Sequence, residues 1–186
     1  MSKLIVSEFV TLDGGIEDPG GAEGSPFGGW AFKFEQGEAG MRVKLEETMG
    51  AGALLLGRKT YEGFAAAWPG MGGDGGFGDK MNAMPKHVVT SSPLGEPAWN
   101  NSTAASGELE DIVARAKQDG DVLVNGSAEL VQALLAKGLV DELRLMVFPT
   151  VVGGGKRLFG GPVEKLKLTD SRPAGETLIL IYEPAT

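Results

Sequence analysis

Leu54-Leu55-Leu56-Gly57-Arg58-Lys59-Thr60 decides the reading of this chain. An apolar run stops at a glycine, two cations and a hydroxyl follow, and an amphipathic segment begins at Tyr61. This pattern describes a buried strand that delivers a positive pair to the start of a helix. Helix N-termini carry unpaired N–H groups and the positive end of the dipole, so they hold anions. The junction is therefore a candidate phosphate site, with solvated surface charge as the plain alternative.

The rest of the chain supplies similar units. Residues 3–11 read as a central strand, followed by a turn at Asp13-Gly14-Gly15. Residues 19–29 read as a Gly/Pro loop. Residues 38–49 read as a helix with Met41, Leu45 and Met49 on its apolar face and Arg42, Lys44, Glu46 and Glu47 on its polar face. After the strand at 53–56, residues 68–77 are too glycine-rich for regular structure and read as a functional loop. Strands are expected at 86–90 and 121–124, and helices at 108–117 and 128–137. A long strand is expected at 141–151, and closing strands at 163–171 and 177–182 are joined by a hairpin at 172–176. Short apolar strands alternating with helices imply an α/β domain, with a mostly parallel sheet and an antiparallel C-terminal edge. No linker divides residues 1–186, so one domain is expected.

Composition narrows the function. The net charge of −8 opposes non-specific binding to nucleic acid or an anionic membrane. With no cysteine and one histidine, thiol chemistry and histidine-rich metal sites are excluded, and no metal is expected. No apolar segment is long enough for a membrane span or a signal peptide, so a cytoplasmic protein is expected. His87 lies in an apolar strand with no evident partner and reads as structural, as does Tyr61.

In open α/β sheets, ligands bind beyond the carboxyl ends of strands. Three such ends carry polar or glycine turns: Gly57, the Thr90-Ser91-Ser92 turn, and Gly126. Together with residues 7–14, 138–143 and 148–159, they make the chain resemble the dihydrofolate reductase superfamily, and more narrowly the reductase domain of bacterial riboflavin-biosynthesis bifunctional deaminase-reductases. The resemblance implies a three-layer sandwich, a homodimer and NADPH as hydride donor; the alternating strand at 141–151 and the C-terminal strands are the candidate dimer face. It places Gly57, Arg58, Lys59 and Thr60 by the cofactor phosphates, Arg58 with Thr90, Ser91 and Ser92 around the 2′-phosphate, and Gly126, Ser127 and Ala128 at the pyrophosphate. Dihydrofolate reductases have two consecutive glycines at that last turn; here the second is Ser127.

The proton source is less clear in the sequence. The carboxylate that dihydrofolate reductases carry on the helix before the Gly-Arg strand falls near Met41 here, and neither Glu35 nor Glu38 aligns with it. This departure argues against folate. Asp13, after the first strand, is the expected catalytic polar group, with a turn-forming role as the alternative. Trp30 and Phe34 are expected to wall the substrate pocket, or to pack the core. Gly154 and Gly155, followed by Lys156 and Arg157, form a candidate nest for a phosphorylated substrate. The expected function is an NADPH-dependent reductase acting on a C=N or C=O of a small heteroaromatic or sugar-derived substrate, as 5-amino-6-(5-phosphoribosylamino)uracil reductase does in riboflavin biosynthesis. A dihydrofolate reductase and a non-catalytic NADPH-binding protein are the competing readings.

Overall fold

The computed structural model describes residues 1–73, 75–96, 98–162 and 165–185. The strands are β1 (Leu4–Thr11), β2 (Ala53–Gly57), β3 (Lys86–Val89), β4 (Ser102–Ala105), β5 (Val122–Val124), β6 (Glu142–Phe148), β7 (Leu166–Ala174) and β8 (Thr177–Pro184). The helices are α1 (Gly37–Gly50), α2 (Arg58–Ala67), α3 (Phe77–Ala83), α4 (Leu109–Ala116) and α5 (Ala128–Ala136). The strands form one eight-stranded sheet in the order β4-β3-β2-β5-β1-β6-β8-β7. All neighbours from β4 to β6 are parallel, while β8 pairs antiparallel with β6 and β7.

The central strands read as continuous apolar runs because both faces of the sheet are covered. Leu4, Val6 and Leu55 point into a core completed by Ile112 and Val113 of α4 and Leu130, Val131 and Leu134 of α5. Ile5, Leu54 and Leu56 point the opposite way, against Tyr61 of α2 and Met81 of α3. A third cluster joins Val43 of α1 to Met146, Phe148 and Trp30. This is the three-layer α/β sandwich expected from the sequence.

Several local expectations are corrected. Strand β4 and helix α3 were not anticipated; α3 begins within the glycine-rich segment, of which Asp74 lies outside the described residues. The closing strand runs to Ala174, so the turn is reduced to Gly175-Glu176; Val163 and Glu164 of the expected strand lie outside the described residues. Strand β6 sits between β1 and β8, which closes both its edges, and β7 is the outer strand. On α1 the expected apolar face points outward: Met41, Leu45 and Met49 are exposed, while Gly40, Val43, Glu47 and Thr48 are buried and Arg42 and Glu46 stay exposed as expected. Gly40 admits close packing here, since a Cβ would stand 3.3 Å from the Met146 methyl.

Candidate functional site

The carboxyl ends of β3, β2 and β5 lie side by side in the sheet, as the three turns required. Strand β5 is only three residues long and pairs with β1 no further than Val6. From Ser7 to Thr11, β1 is therefore paired with β6 alone. The slot left by the early end of β5 opens into a cleft of 990 Å³.

Two helix N-termini meet at this cleft, and two hydroxyls lock them together. The Gly57 N–H donates to Ser127 Oγ, and the Ser127 N–H donates to Thr60 Oγ1, each at 2.9 Å. The starts of α2 and α5 are thus held side by side, with Gly57 to Thr60 and Gly126 to Ala128 all lining the cleft. Gly126 has φ 63°, and a Cβ there would meet the Thr60 side chain at 3.2 Å. Ser127 also adopts φ 63°, although it has a Cβ. Its two hydrogen bonds to the α2 start offset the left-handed cost. Gly126→Ala is expected to lower stability by roughly 1–2 kcal/mol through left-handed strain, which a urea-unfolding midpoint measures.

The cationic pair is held by exposed partners. Arg58 Nε donates to Glu62 at 2.6 Å, and Nη1 donates to the Pro93 carbonyl at 2.8 Å and the Ser92 carbonyl at 3.5 Å. Arg58 and the 90–92 turn are brought together, but Thr90, Ser91 and Ser92 stand outside the cleft lining; Ser92 N–H donates to Thr90 Oγ1. Lys59 pairs with Glu23 at 2.5 Å, which raises its pKa. Exposed pairs of this kind contribute about 0–1 kcal/mol, so a phosphate can displace them.

The cleft holds two glutamates that sequence reasoning missed. Glu47 of α1 is turned inward, its side chain 1% exposed, and accepts from Ser7 Oγ at 2.9 Å and Lys44 Nζ at 2.8 Å. Lys44 also donates to Ser7 Oγ and lies over the Phe9 ring. Arg144 approaches Glu47 at 3.8 Å. Glu8 sits on the opposite face of β1 from Ser7. It is buried, and Oε1 has no hydrogen-bond partner among the described residues. Desolvation pushes its pKa well above 4.5, with Lys44 and the Gly126 N–H pulling down and Glu47 pushing up. The available signal was a carboxylate inside the otherwise apolar run Leu4-Ile5-Val6-Ser7-Glu8-Phe9-Val10.

Other expected site residues stand elsewhere. Asp13 is absent from the cleft lining. It accepts from the Thr11 hydroxyl at 2.5 Å and from the N–H groups of Gly153 at 2.9 Å and Val152 at 3.3 Å, and Arg157 adds an ion pair. The Thr11 hydroxyl and these N–H groups lower its pKa to about 2, so it is an ionised loop anchor and holds no proton to give. Trp30 is a core residue, 2% exposed, edge-on to Phe148, with its indole N–H donating to the Glu17 carbonyl. Phe34 packs on the same Phe148 ring. The aromatic wall is supplied instead by Phe9, Phe32, Phe64, Trp68 and Phe77. Gly154 and Gly155 do not line the cleft. His87 pairs with Asp119, and Tyr61 accepts from the Trp99 N–H; both are structural. Among the described residues no cluster suits a metal ion, and no helix is long and apolar enough to cross a membrane.

Known proteins share this architecture. The chain is 27% identical to the uncharacterized protein YwjB of Bacillus subtilis (strain 168) over 185 residues, 97% of each chain. It is 38% identical to YyaP of the same organism over 61 residues, a match spanning 32% of each chain. A putative riboflavin biosynthesis protein from Shewanella sp. PV-4 superposes with a TM-score of 0.74 at 21% identity, covering 99% of both chains. The Thermotoga maritima diaminohydroxyphosphoribosylaminopyrimidine deaminase/5-amino-6-(5-phosphoribosylamino)uracil reductase superposes with a TM-score of 0.66 at 16% identity. The chain covers 57% of its length. These structures share the fold. The family model of the RibD C-terminal domain matches residues 2–180, and the chain belongs to that family.

Proposed function

We propose that this protein is an NADPH-dependent reductase that passes a hydride to a C=N or C=O of a small ring substrate. The observation that carries the reading is the hydroxyl-locked pair of helix N-termini at Gly57–Thr60 and Gly126–Ala128. It presents backbone N–H groups and two dipole ends to one extended phosphate-bearing ligand, beside displaceable cations. Family membership supports the same reading, because the Thermotoga relative is named as a reductase.

Bound NADPH would supply the hydride from its nicotinamide. The pyrophosphate would rest on Gly126, Ser127 and Ala128, and the 2′-phosphate on Arg58. The half-paired stretch of β1 offers ladder groups to a flat ring in the slot. Glu8 is the proton source in this reading: burial favours its protonated form, it lines the cleft, and it can be recharged from water after each turnover.

Titration of intrinsic tryptophan fluorescence tests the cofactor assignment, since Trp68 lines the cleft. NADPH is expected to bind more tightly than NADH. Arg58→Ala should weaken NADPH binding roughly 10- to 100-fold, the scale of a charge-assisted hydrogen bond, and leave NADH unaffected. Equal weak binding of both, indifferent to the substitution, would sink the assignment.

A further inference from the structure

The glycine turn after β6 has the makings of an anion nest, yet the protein fills it with its own side chains. Asp13 takes the N–H groups of Val152 and Gly153. Glu17 Oε2 takes the N–H of Lys156 at 2.6 Å, and Ser25 Oγ holds its other oxygen at 2.6 Å. The Phe27 ring covers Gly154 so closely that a Cβ would come within 2.3 Å of it. All three plugs come from one stretch of chain, the loop after β1. Ser25 and the Lys156 N–H lower the Glu17 pKa, as Thr11 and the Gly153 N–H lower that of Asp13, so both nest carboxylates stay ionised at neutral pH.

Of this plugged nest, Glu17 and Lys156 reach the cleft lining, and energetics separates their end of the cleft from the other. Each cation that lines the cleft already meets a carboxylate: Lys44, Arg58, Lys59 and Lys156, at 2.8, 2.6, 2.5 and 2.7 Å. At the helix junction, which Lys156 reaches through Glu129 in the first turn of α5, those partners are exposed, Glu62 at 59%, Glu23 at 38% and Glu129 at 83%, and an incoming phosphate exchanges with them at little cost. On the α1 side, Lys44 is committed to a nearly fully buried Glu47, and breaking a buried pair costs far more. The backbone donors of the nest are committed as well, and an incoming phosphate would face the ionised Glu17 there. The cleft can therefore hold phosphate at the helix junction and repels it toward Glu17 and Glu47, where the remaining surface is aromatic.

We propose that the substrate of this cleft carries no phosphate: it is an uncharged, flat heteroaromatic ring, in contrast to the phosphoribosyl substrate named for the Thermotoga relative. The inference rests on the reductase reading for its choice of site, but binding tests it separately. Calorimetric titration of 5,6-diaminouracil and of 5-amino-6-(5-phosphoribosylamino)uracil, each with and without NADPH, is the experiment. The unphosphorylated ring is expected to bind at least tenfold more tightly, and Glu17→Gln, which removes one nest charge, should narrow that gap at least threefold. Equal or tighter binding of the phosphoribosyl compound, or binding of neither ring, overturns the proposal; so does a gap unmoved by Glu17→Gln. If NADPH itself fails to bind while the ring preference persists, the reductase reading falls and the phosphate inference stands.

Discussion

Replacing Glu8 by glutamine is expected to stabilise the protein at pH 8 and to disable its chemistry. The native pKa of Glu8 lies above its ordinary value of 4.5, so the folded state keeps a proton that the unfolded chain releases. The linked stability is intact below about pH 4.5 and drains away as pH rises through the native pKa. Above that range the buried acid is a net cost, relieved by a neutral isostere. Melting temperatures of the two proteins should nearly coincide at pH 4.5 and diverge by pH 8, by roughly 2–4 °C per kcal/mol removed. The groups that act electrostatically on Glu8 are Lys44 and Glu47 of α1 and the Gly126 N–H, and none of them is altered. With any substrate that the wild-type protein reduces, kcat should fall about 10²–10⁴-fold, the usual contribution of a positioned acid. A Glu8→Gln protein with full activity and a pH-independent stability difference would remove Glu8 from the mechanism.

The second large effect is expected at Glu47. Truncation to alanine strands Lys44 against the Phe9 ring and deprives the Ser7 hydroxyl of its acceptor. Breaking a buried pair costs about 3–5 kcal/mol. The low end applies, because Lys44 and Arg144 retain 21% and 23% side-chain exposure and can reach water in the cleft. Urea unfolding measures the loss. The double variant Glu47→Leu/Lys44→Met should recover at least half of it, since no charge is then left without a partner. No recovery would mean that Glu47 acts through packing rather than charge.

Glu47 also shows where sequence reading failed, and why. Period-3.6 patterning assumes that the apolar stripe of a helix faces inward. Helix α1 turns Lys44 and Glu47 to the cleft and leaves Met41, Leu45 and Met49 in solvent, so the rule pointed the wrong way. The acid was sought near Met41 by counting back from Arg58, whereas the carboxylate of that helix that lines the cleft is Glu47, farther along. Glu8 was overlooked because the apolar run around it reads as a strand whether or not one residue is charged. The helix junction was legible: Gly57, Thr60, Gly126 and Ser127 are local turn chemistry, and local chemistry survives folding unchanged. Asp13 and the glycine turn at 153–155 were read as separate features, and only the Asp13 contacts with the Gly153 N–H and with Arg157 show that the acid serves this turn. The same holds for the sheet: its parallel core follows from alternating apolar strands and helices, whereas β4, with an exposed middle, carries too little pattern to be found.

The early end of β5 has one more consequence. Unpaired strand edges are normally a hazard, because another chain can add to them and begin aggregation. Here the incomplete ladder lies in the middle of the sheet, between β1 and the end of β2, in the width of one missing strand, roughly 5 Å to either neighbour. A foreign polypeptide would have to thread between α1 and the α2 and α5 starts to reach it. The protein thus keeps an edge with strand-like appetite away from its surface, and in the proposed reductase a planar ring would fill it.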